Sequence, residues 1–481
     1  MSKTKKVILA TAAAAFLAAA VLVFFYLLPK LDALRAIPDL ADENLLLIAG
    51  DSYIDESGGI TGPGRYPLLI FLDQRDWSAE ILNLHTLFPE LHPNVVSVVE
   101  ARPFLHNGRH KLAVATRGPE NVNGTLLILR KTGRLSPRLE IEFQEELPYP
   151  FVRSIFVADV TGDGKKNIVV GTRHGGVVRY YTFTDGQWSG ETIDKLGEEY
   201  PPSVAIHDLL VADIDEDGLQ EILLTAHIPV YRLADWDDKE NLPLYKPQLL
   251  QYKFDQKKGT WNKSVVWEYT EMVPVGPVGL FNISYNPYVQ EYYSHARYLY
   301  FVDIDGDGSK EIVASQQGGR GSRDLAVFRR NDGVWTQEVV EQELELDRQV
   351  ISLGDIDSDG KTEIVAATHA HDFLLLYDYE QGKWERRHIA TDVSAGRPER
   401  LVKDVGLRAS GTQEEASIQA AAILNSPGEK YKNILYVVSG RKTENTLFYL
   451  LSYDPLKDAW EKELVLELDI GIHAWYIPNH T

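Results

Sequence analysis

Cysteine is absent from the 481-residue chain. Disulfide bonds are thereby excluded, and so is membrane attachment through an acylated cysteine. Eukaryotic extracellular domains of this size usually carry disulfides, so an exported chain without them is more typical of a bacterial or archaeal surface. Rigidity that disulfides would supply has to come from elsewhere, and bound metal ions are one source.

Positive charge is also scarce. The chain has 49 Lys and Arg against 70 Asp and Glu, a formal net charge of -21, and its basic cluster lies in the first six residues. This balance argues against a nucleic-acid partner, because phosphates are bound by basic patches. No nucleophile elbow, phosphate loop or zinc motif is present, so we expect that the protein is not an enzyme.

A long apolar run occurs at the amino terminus. Residues 7–28 carry no charge, and a helix of about 22 residues is long enough to cross a bilayer core. Lysines precede the run, which favours a cytoplasmic amino terminus. We expect a single-pass signal anchor at 7–28, residues 1–6 in the cytoplasm, a linker at 29–43 and the remainder outside the cell membrane. A cleaved signal peptide is the alternative.

Four segments share one pattern of oxygen-bearing side chains. They read D-V-T-G-D-G from Asp159, D-I-D-E-D-G from Asp213, D-I-D-G-D-G from Asp303 and D-I-D-S-D-G from Asp355. Oxygens stand at positions 1, 3 and 5, and position 6 is glycine. Carboxylates that converge in a tight loop repel one another, and a hard cation with six to eight oxygen ligands removes that repulsion. The pattern predicts up to four structural Ca²⁺ ions.

Each predicted site has five ligand positions, with side chains at 1, 3, 5 and 9 and the backbone carbonyl at 7. The candidate ligands are Asp159, Thr161, Asp163, Lys165 and Asn167; Asp213, Asp215, Asp217, Leu219 and Glu221; Asp303, Asp305, Asp307, Ser309 and Glu311; and Asp355, Asp357, Asp359, Lys361 and Glu363. The first loop is expected to bind weakest, because Thr161 and Asn167 are neutral.

An EF-hand is excluded by what surrounds these loops. An EF-hand needs a bidentate glutamate at position 12 and a helix on each side. Position 12 is Val170, Leu224, Ala314 or Ala366, and short apolar runs typical of strands flank every loop. Each loop therefore joins two strands.

A second signature repeats downstream of the loops: an apolar strand, a turn and then a tryptophan. Six copies end in Trp77, Trp188, Trp261, Trp335, Trp384 and Trp460, and a seventh has Leu135 in that place. Two copies keep a loop that has lost its ligands, as at Pro103 and Leu105. Repeats of this kind predict an all-β fold, a seven-bladed β-propeller over residues 44–481, with the tryptophan packed between blades. A linear β-solenoid is the alternative.

Closure of the ring has two possible sources in the sequence. The tail G-I-H-A-W-Y-I-P-N-H-T follows the last outer strand and is expected to pair with the first blade. The segment before residue 50 could instead supply that blade's inner strand.

The repeated D-x-D-x-D-G-x-x-[DE] loop followed by an Ile-Val strand resembles the FG-GAP/VCBS repeat family, which includes the integrin α-subunit head. The resemblance covers residues 44–480 as an architecture and the four loops as a specific motif. It implies Ca²⁺ between the first and second strands of blades three to six. It does not imply integrin partners, because the sequence has no inserted ligand-binding domain and no membrane-proximal leg.

The face opposite the loops is the expected place of recognition. Polar residues are predicted at the inner hairpins there, where they could hold a carboxylate or a sugar: Arg117, Arg173, His227, Gln317 and His369. Two aromatic-rich insertions, at about 231–247 and 269–296, are expected on the same face, and long loops on rigid scaffolds often carry recognition. Plain polar turns and a local aromatic core are the alternatives.

These features predict an extracytoplasmic calcium-binding propeller that acts as a binding or adhesion module for a protein or glycan. A calcium-dependent polysaccharide lyase and a cell-envelope scaffold are the alternatives.

Overall fold

The structure is a computed structural model. It describes residues 40, 42, 44–52, 66–91, 95, 97–118, 123–132, 138–147, 152–172, 175–199, 204–229, 245–268, 295–317, 325–341, 350–367, 373–391, 417–424, 430–439, 445–457, 459–468 and 473–476. Within these residues, 28 strands form seven antiparallel sheets of four strands each. The predicted all-β, seven-bladed β-propeller is confirmed.

The blades follow one another along the chain, and each begins with its innermost strand except blade 1. Blade 1 contains β1 (Leu45–Ser52), β2 (Tyr66–Asp73) and β3 (Ala79–Asn83); blade 2, β4 (Ser97–His106), β5 (Arg109–Arg117), β6 (Thr125–Thr132) and β7 (Arg138–Glu146); blade 3, β8 (Val152–Ala158), β9 (Asn167–Thr172), β10 (Val177–Thr184) and β11 (Gln187–Lys195); blade 4, β12 (Ala205–Ala212), β13 (Glu221–Pro229), β14 (Tyr245–Asp255) and β15 (Thr260–Glu268); blade 5, β16 (His295–Val302), β17 (Glu311–Gln317), β18 (Leu325–Asn331) and β19 (Val334–Glu341); blade 6, β20 (Val350–Gly354), β21 (Glu363–Ala367), β22 (Phe373–Glu380) and β23 (Lys383–Thr391); and blade 7, β24 (Ser417–Ile423), β25 (Ile434–Ser439), β26 (Thr446–Asp454) and β27 (Ala459–Leu468). One-turn helices α1 (Leu84–Leu87) and α2 (Leu196–Glu199) follow the outermost strands of blades 1 and 3.

The carboxyl-terminal strand closes the ring. Strand β28 (His473–Tyr476) pairs antiparallel with β1, so the sheet of blade 1 runs β28-β1-β2-β3. The carboxyl-terminal tail therefore supplies the inner strand of blade 1, which confirms the expectation that the tail pairs with the first blade. The segment before residue 50 instead forms β1, which lies second from the axis.

Several predicted segments fall at or beyond the edges of the described residues. The signal anchor at 7–28 lies outside them, and no helix within them is long and apolar enough to cross a membrane. The insertions at 231–247 and 269–296 also lie mostly outside. Strands β14 and β16 begin at Tyr245 and His295, so the predicted insertions extend too far by two or three residues.

The core is divided among the interfaces between blades. Seven clusters of buried apolar side chains occur in the described residues, and each joins two neighbouring blades, including blades 7 and 1. For example, Ile168 and Val170 of blade 3 pack with Ala113 and Ile128 of blade 2. Because each blade buries both faces only between its neighbours, the repeats are stable only as a closed ring.

The recurring tryptophans lie in these interfaces, as predicted. Each described one packs in the cluster between its own blade and the preceding one: Trp77, Trp188, Trp261, Trp335, Trp384 and Trp460. The indole of Trp188 donates a hydrogen bond to Glu142 Oε1 of blade 2 at 2.9 Å, and that of Trp384 donates to Glu338 Oε1 of blade 5 at 3.0 Å. The predicted seventh position, Leu135, lies outside the described residues.

Two acidic side chains, one buried and one half-buried, link some of the inner strands. Strands β4 and β12 shift register just before Glu100 and Asp208, and a bulge of this kind redirects a side chain. Glu100 Oε2 accepts the backbone N–H of Ile155 in blade 3 at 2.9 Å, and Asp208 Oδ2 accepts that of Leu299 in blade 5 at 2.8 Å. Burial, together with the charge of Glu100, raises the pKa of Asp208 to about 7.

Replacement of Asp208 by Asn is expected to change the pH dependence of stability. The pKa of Asp208 in the folded protein lies above the usual 3.8. The wild type therefore loses stability as the pH rises from the pKa of Asp208 in the unfolded chain through its folded pKa of about 7. The advantage of Asp208→Asn over the wild type should therefore grow by roughly 2 kcal/mol between pH 5 and pH 8. Urea unfolding at both pH values measures it. Asp185→Asn on an exposed outer turn is the control, and equal pH slopes for Asp208→Asn and the wild type would contradict the assignment.

Candidate metal centres

The four acidic loops have one backbone frame. Each joins the first and second strands of its blade, in blades 3 to 6, as predicted. The position-1 aspartate closes the loop: Asp303 Oδ1 accepts the N–H of Gly306 at 2.8 Å, and its Oδ2 accepts that of Gly308 at 2.9 Å. Asp159 makes the same pair of bonds. Oδ2 of Asp213 and Asp355 also accepts the N–H of position 6, whereas their Oδ1 accepts that of position 5. Gly308, at position 6, has φ +91, a conformation that favours glycine.

Position 9 is the buried end of each loop and begins the second strand. Glu221, Glu311 and Glu363 are at most 3% exposed, and Oε2 of each accepts the backbone N–H of position 2. The remaining oxygen of each is not used in that bond. Burial raises the pKa of Glu311 to about 7 and that of Glu363 to about 8, and it also raises the pKa of Glu221.

In each of three loops, the structure brings three carboxylates together into one cluster. Their oxygens lie within 4.8 Å of one another in Asp213, Asp215 and Glu221 of blade 4; Asp303, Asp305 and Glu311 of blade 5; and Asp355, Asp357 and Asp359 of blade 6. The structure thus brings positions 1 and 3 together in all three blades, with position 9 in two of them and position 5 in the third.

The loop of blade 3 departs from this arrangement. Its Asn167 Oδ1 accepts the N–H of Val160 at 3.1 Å, which repeats the bond of the glutamates without their charge. Only Asp159 and Asp163 contribute carboxylates among its predicted side-chain ligands. The loop borders a groove of about 510 Å³ that is also lined by Tyr180, Phe183 and Phe254. This loop remains the weakest predicted metal site.

The donor sets of blades 4 to 6 suit a hard cation. All their side-chain donors are oxygens, which is the ligand type that Ca²⁺ prefers. Asp215 Oδ1 and Asp305 Oδ1 are buried and accept no hydrogen bond. Such oxygens are costly to bury without a partner, so the residues fit a calcium ion.

Two basic side chains from the third strands reach the clusters of blades 4 and 5, and the sequence motif includes neither. Lys253 of β14 places its ammonium 2.6 Å from Asp215 Oδ2, 2.5 Å from Asp217 Oδ2 and 3.1 Å from Glu221 Oε1. Arg329 of β18 lies 2.7 Å from Asp305 and 3.1 Å from Glu311 through Nη1. A signal was present: both residues stand next to an aromatic in the third strand of their repeats, at Y-K-F and F-R-R.

Each loop is bonded to the next blade. The position-2 carbonyl of Ile304 accepts the N–H of Thr362, at 3.1 Å, and that of Ile356 accepts the N–H of Lys432, at 2.7 Å. Arg330 donates to the carbonyl of Ile214 at 3.3 Å. Similar bonds run from Gln256 to Thr161 and Gly162. The loops thus form a belt from blade 3 to blade 7 on one face.

The opposite face carries the hairpins between second and third strands. Arg117 ends β5 there and is half-buried. Gln317 ends β17, and His227 lies in β13, but their side chains are outside the described set, as are Arg173 and His369 entirely. The predicted polar ring thus stays a prediction.

Comparison with known proteins identifies the repeat. Residues 159–224 match the model of the FG-GAP-like repeat, from the loop of blade 3 to β13 of blade 4. No curated protein matches the sequence.

Three solved structures are weakly similar to this chain. A functionally unknown protein from Desulfotomaculum acetoxidans DSM 771 is 10% identical with TM-score 0.44, over 89% of this chain and 98% of that chain. The Dos1 propeller is 8% identical with TM-score 0.43, over 88% and 86%. Chaetomium thermophilum Sqt1, bound to the N-terminus of ribosomal protein L10, is 11% identical with TM-score 0.41, over 84% and 81%. Identities this low transfer no function. The chain contains an FG-GAP-like repeat at residues 159–224, set in a seven-bladed β-propeller.

Proposed function

We propose that this protein is a membrane-anchored, calcium-stabilised propeller that binds a protein or glycan partner outside the cell. The anchor would be residues 7–28, and the propeller would lie on the far side of the membrane. The observation that supports the proposal best is that the four acidic loops lie on one face of the propeller. The acidic loops form an inter-blade belt on one face, which leaves the other face, where the second and third strands of each blade are joined, for recognition.

The calcium ions would be held by the clusters of blades 4 to 6 and more weakly by the loop of blade 3. When bound, calcium would supply the positive charge that offsets repulsion among the carboxylates. The chain's own part is to fix the loops: position 1 binds the loop amides, and position 2 bonds to the next blade. A loop that is fixed in this way is suited to stabilising the fold, and it is less suited to rearranging when a ligand binds.

A glycan array with and without chelator tests the proposal. The ring closes between β28 and β1, so a fragment of residues 37–481 contains every strand. Saturable binding of one glycan class is expected, and it should weaken when chelator removes calcium. Chelation is also expected to lower the unfolding free energy by roughly 1.4 kcal/mol for each site with a dissociation constant near 0.1 mM in 1 mM calcium.

The double variant Arg117→Ala/Arg173→Ala locates the binding face. Binding is expected to fall, while Arg130→Ala, on the third strand of blade 2 and paired with Glu140, should leave it unchanged. Unchanged binding by the double variant would exclude the polar ring. Release of unsaturated sugar products absorbing in the ultraviolet would replace the binding module by a lyase. An unchanged melting temperature with chelator would contradict structural calcium.

A further inference from the structure

One position of the third strand faces the metal loop in every acidic blade. Position 10 of each loop lies in the second strand and pairs with a residue of the third strand. The residue that follows this partner in the third strand lies opposite position 9. The residues at this position, in blades 3 to 6, are Thr182, Lys253, Arg329 and Asp378. The loops are thus alike in frame but differ in charge at one equivalent site.

In blade 4 this residue puts a cation inside the loop. The ammonium of Lys253 contacts three of the predicted ligands, within 2.5 to 3.1 Å. One of them, Glu221, is fully buried. A single ammonium bonded to positions 3, 5 and 9 takes up one oxygen of each carboxylate that would otherwise be open to a metal ion, while Asp215 Oδ1 keeps no hydrogen-bond partner.

In blade 5 the guanidinium of Arg329 has the same role, with an added anchor. Its Nη1 contacts Asp305 and Glu311, and its Nε donates to Glu338 Oε2 at 3.0 Å. Glu338 in turn accepts the indole of Trp384 from blade 6. The cation of this loop is therefore tied into the inter-blade packing.

Blade 6 has the opposite charge at this position. Asp378 adds a carboxylate beside the cluster, and the guanidinium of Arg387 lies 3.9 Å from its Oδ2. Lys361 binds Asp359, the third carboxylate of the cluster, at 3.0 Å, and it also binds Glu380. No basic side chain is bonded to Asp355 or Asp357 among the contacts of the described residues.

Blade 2 has a basic residue at its loop but no acidic ligands. Its loop has no carboxylates and has shortened to the turn Asn107-Gly108. At position 9 it carries Lys111, which is buried and pairs with Glu142 at 2.5 Å. In blade 2, therefore, Lys111 occupies position 9 of a loop that has no acidic ligands.

We infer that Lys253 and Arg329 are built-in cations that occupy the metal positions of blades 4 and 5, so that calcium binds first to the loop of blade 6. This inference rests on the calcium part of the proposed function. Calcium reaches the loops of blades 4 and 5 only by displacing a tethered cation, which lowers their affinity. The four loops therefore form one preferred site and three weaker ones rather than four equal sites.

Calorimetric calcium titration of the full-length chain after chelation tests this inference. The wild type is expected to show one tight site. Lys253→Met should add a second, because removal of the tethered charge raises the affinity of the blade 4 loop by about tenfold or more. Lys257→Met removes the same charge from the exposed turn that follows β14 and should behave as the wild type.

Further variants assign the tight sites. Asp357→Asn in the wild type removes a carboxylate of the blade 6 cluster and should abolish the single tight site, and in Lys253→Met it should leave one. Asp378→Lys places a tethered cation opposite Glu363 and should also abolish the wild-type tight site. This variant tests the inference even if Lys253→Met fails to fold.

The outcomes separate this inference from the proposed function. No calcium binding by any variant would overturn both. Equal affinity at several wild-type sites, unchanged in Lys253→Met and Asp378→Lys, would overturn this inference and leave structural calcium in place. A tight wild-type site that survives Asp357→Asn would also overturn it, because the preferred loop would not be that of blade 6.

Discussion

Deletion of residues 472–481 is expected to lower the unfolding free energy by about 4 kcal/mol or more and to broaden the transition. The deleted segment contains β28, the innermost strand of blade 1. All eight residues of β1 are buried, and the deletion leaves that strand as a sheet edge. Strand β28 also contacts β24 of blade 7 and β4 of blade 2, so its loss opens the ring at one place.

Urea unfolding followed by tryptophan fluorescence measures this effect. Deletion of residues 477–481 alone is the matched control, because it leaves β28 in place and should unfold as the full chain does. A peptide of residues 471–481 added to the shortened chain should restore part of the stability by strand addition. An unchanged midpoint and slope after the larger deletion would mean that the ring is held without its carboxyl-terminal strand.

The architecture could be predicted because its signals are local and repeated. The acidic loop and the outer tryptophan each fit within a few residues, and their recurrence fixes the number of blades. The loss of metal ligands in blade 2 was also readable, since Asn107-Gly108 is a strong signal for a two-residue hairpin turn. Both residues have positive φ, as that turn requires.

The cations of the loops could not be read from the motif, because they come from another strand. Lys253 lies 38 residues from Asp215, and Arg329 lies 24 residues from Asp305. An insertion separates the second and third strands of blade 4, so the two spacings differ. Only the register of the sheets shows that both residues oppose position 9.

The acids of the inner strands could not be predicted for a related reason. Glu100 and Asp208 each follow a register shift, and in the sequence they look like ordinary polar residues of an alternating strand. Their partners are backbone N–H groups of the next blade, about one repeat further along the chain. Contacts between repeats of this kind depend on how the blades are placed around the axis.

Replacement of Trp188 by Ala is expected to cost about 3–5 kcal/mol of unfolding free energy. Trp188 is the most buried of the described outer tryptophans, at 7% exposure, and lies between blades 2 and 3. Its ring meets those of His106 and Phe183, with centroids 5.1 and 5.3 Å away. Alanine would leave a cavity there and would remove the hydrogen bond to Glu142.

Two further variants separate packing from hydrogen bonding in this interface. Trp188→Phe keeps most of the ring and loses the indole N–H, while Glu142 keeps its bond from Lys111. This variant should cost only about 1 kcal/mol through the lost hydrogen bond. Trp335→Ala, at a partly exposed copy of the same position, should cost less than Trp188→Ala. Equal losses for Trp188→Phe and Trp188→Ala would show that the hydrogen bond, rather than the packed ring, joins the two blades.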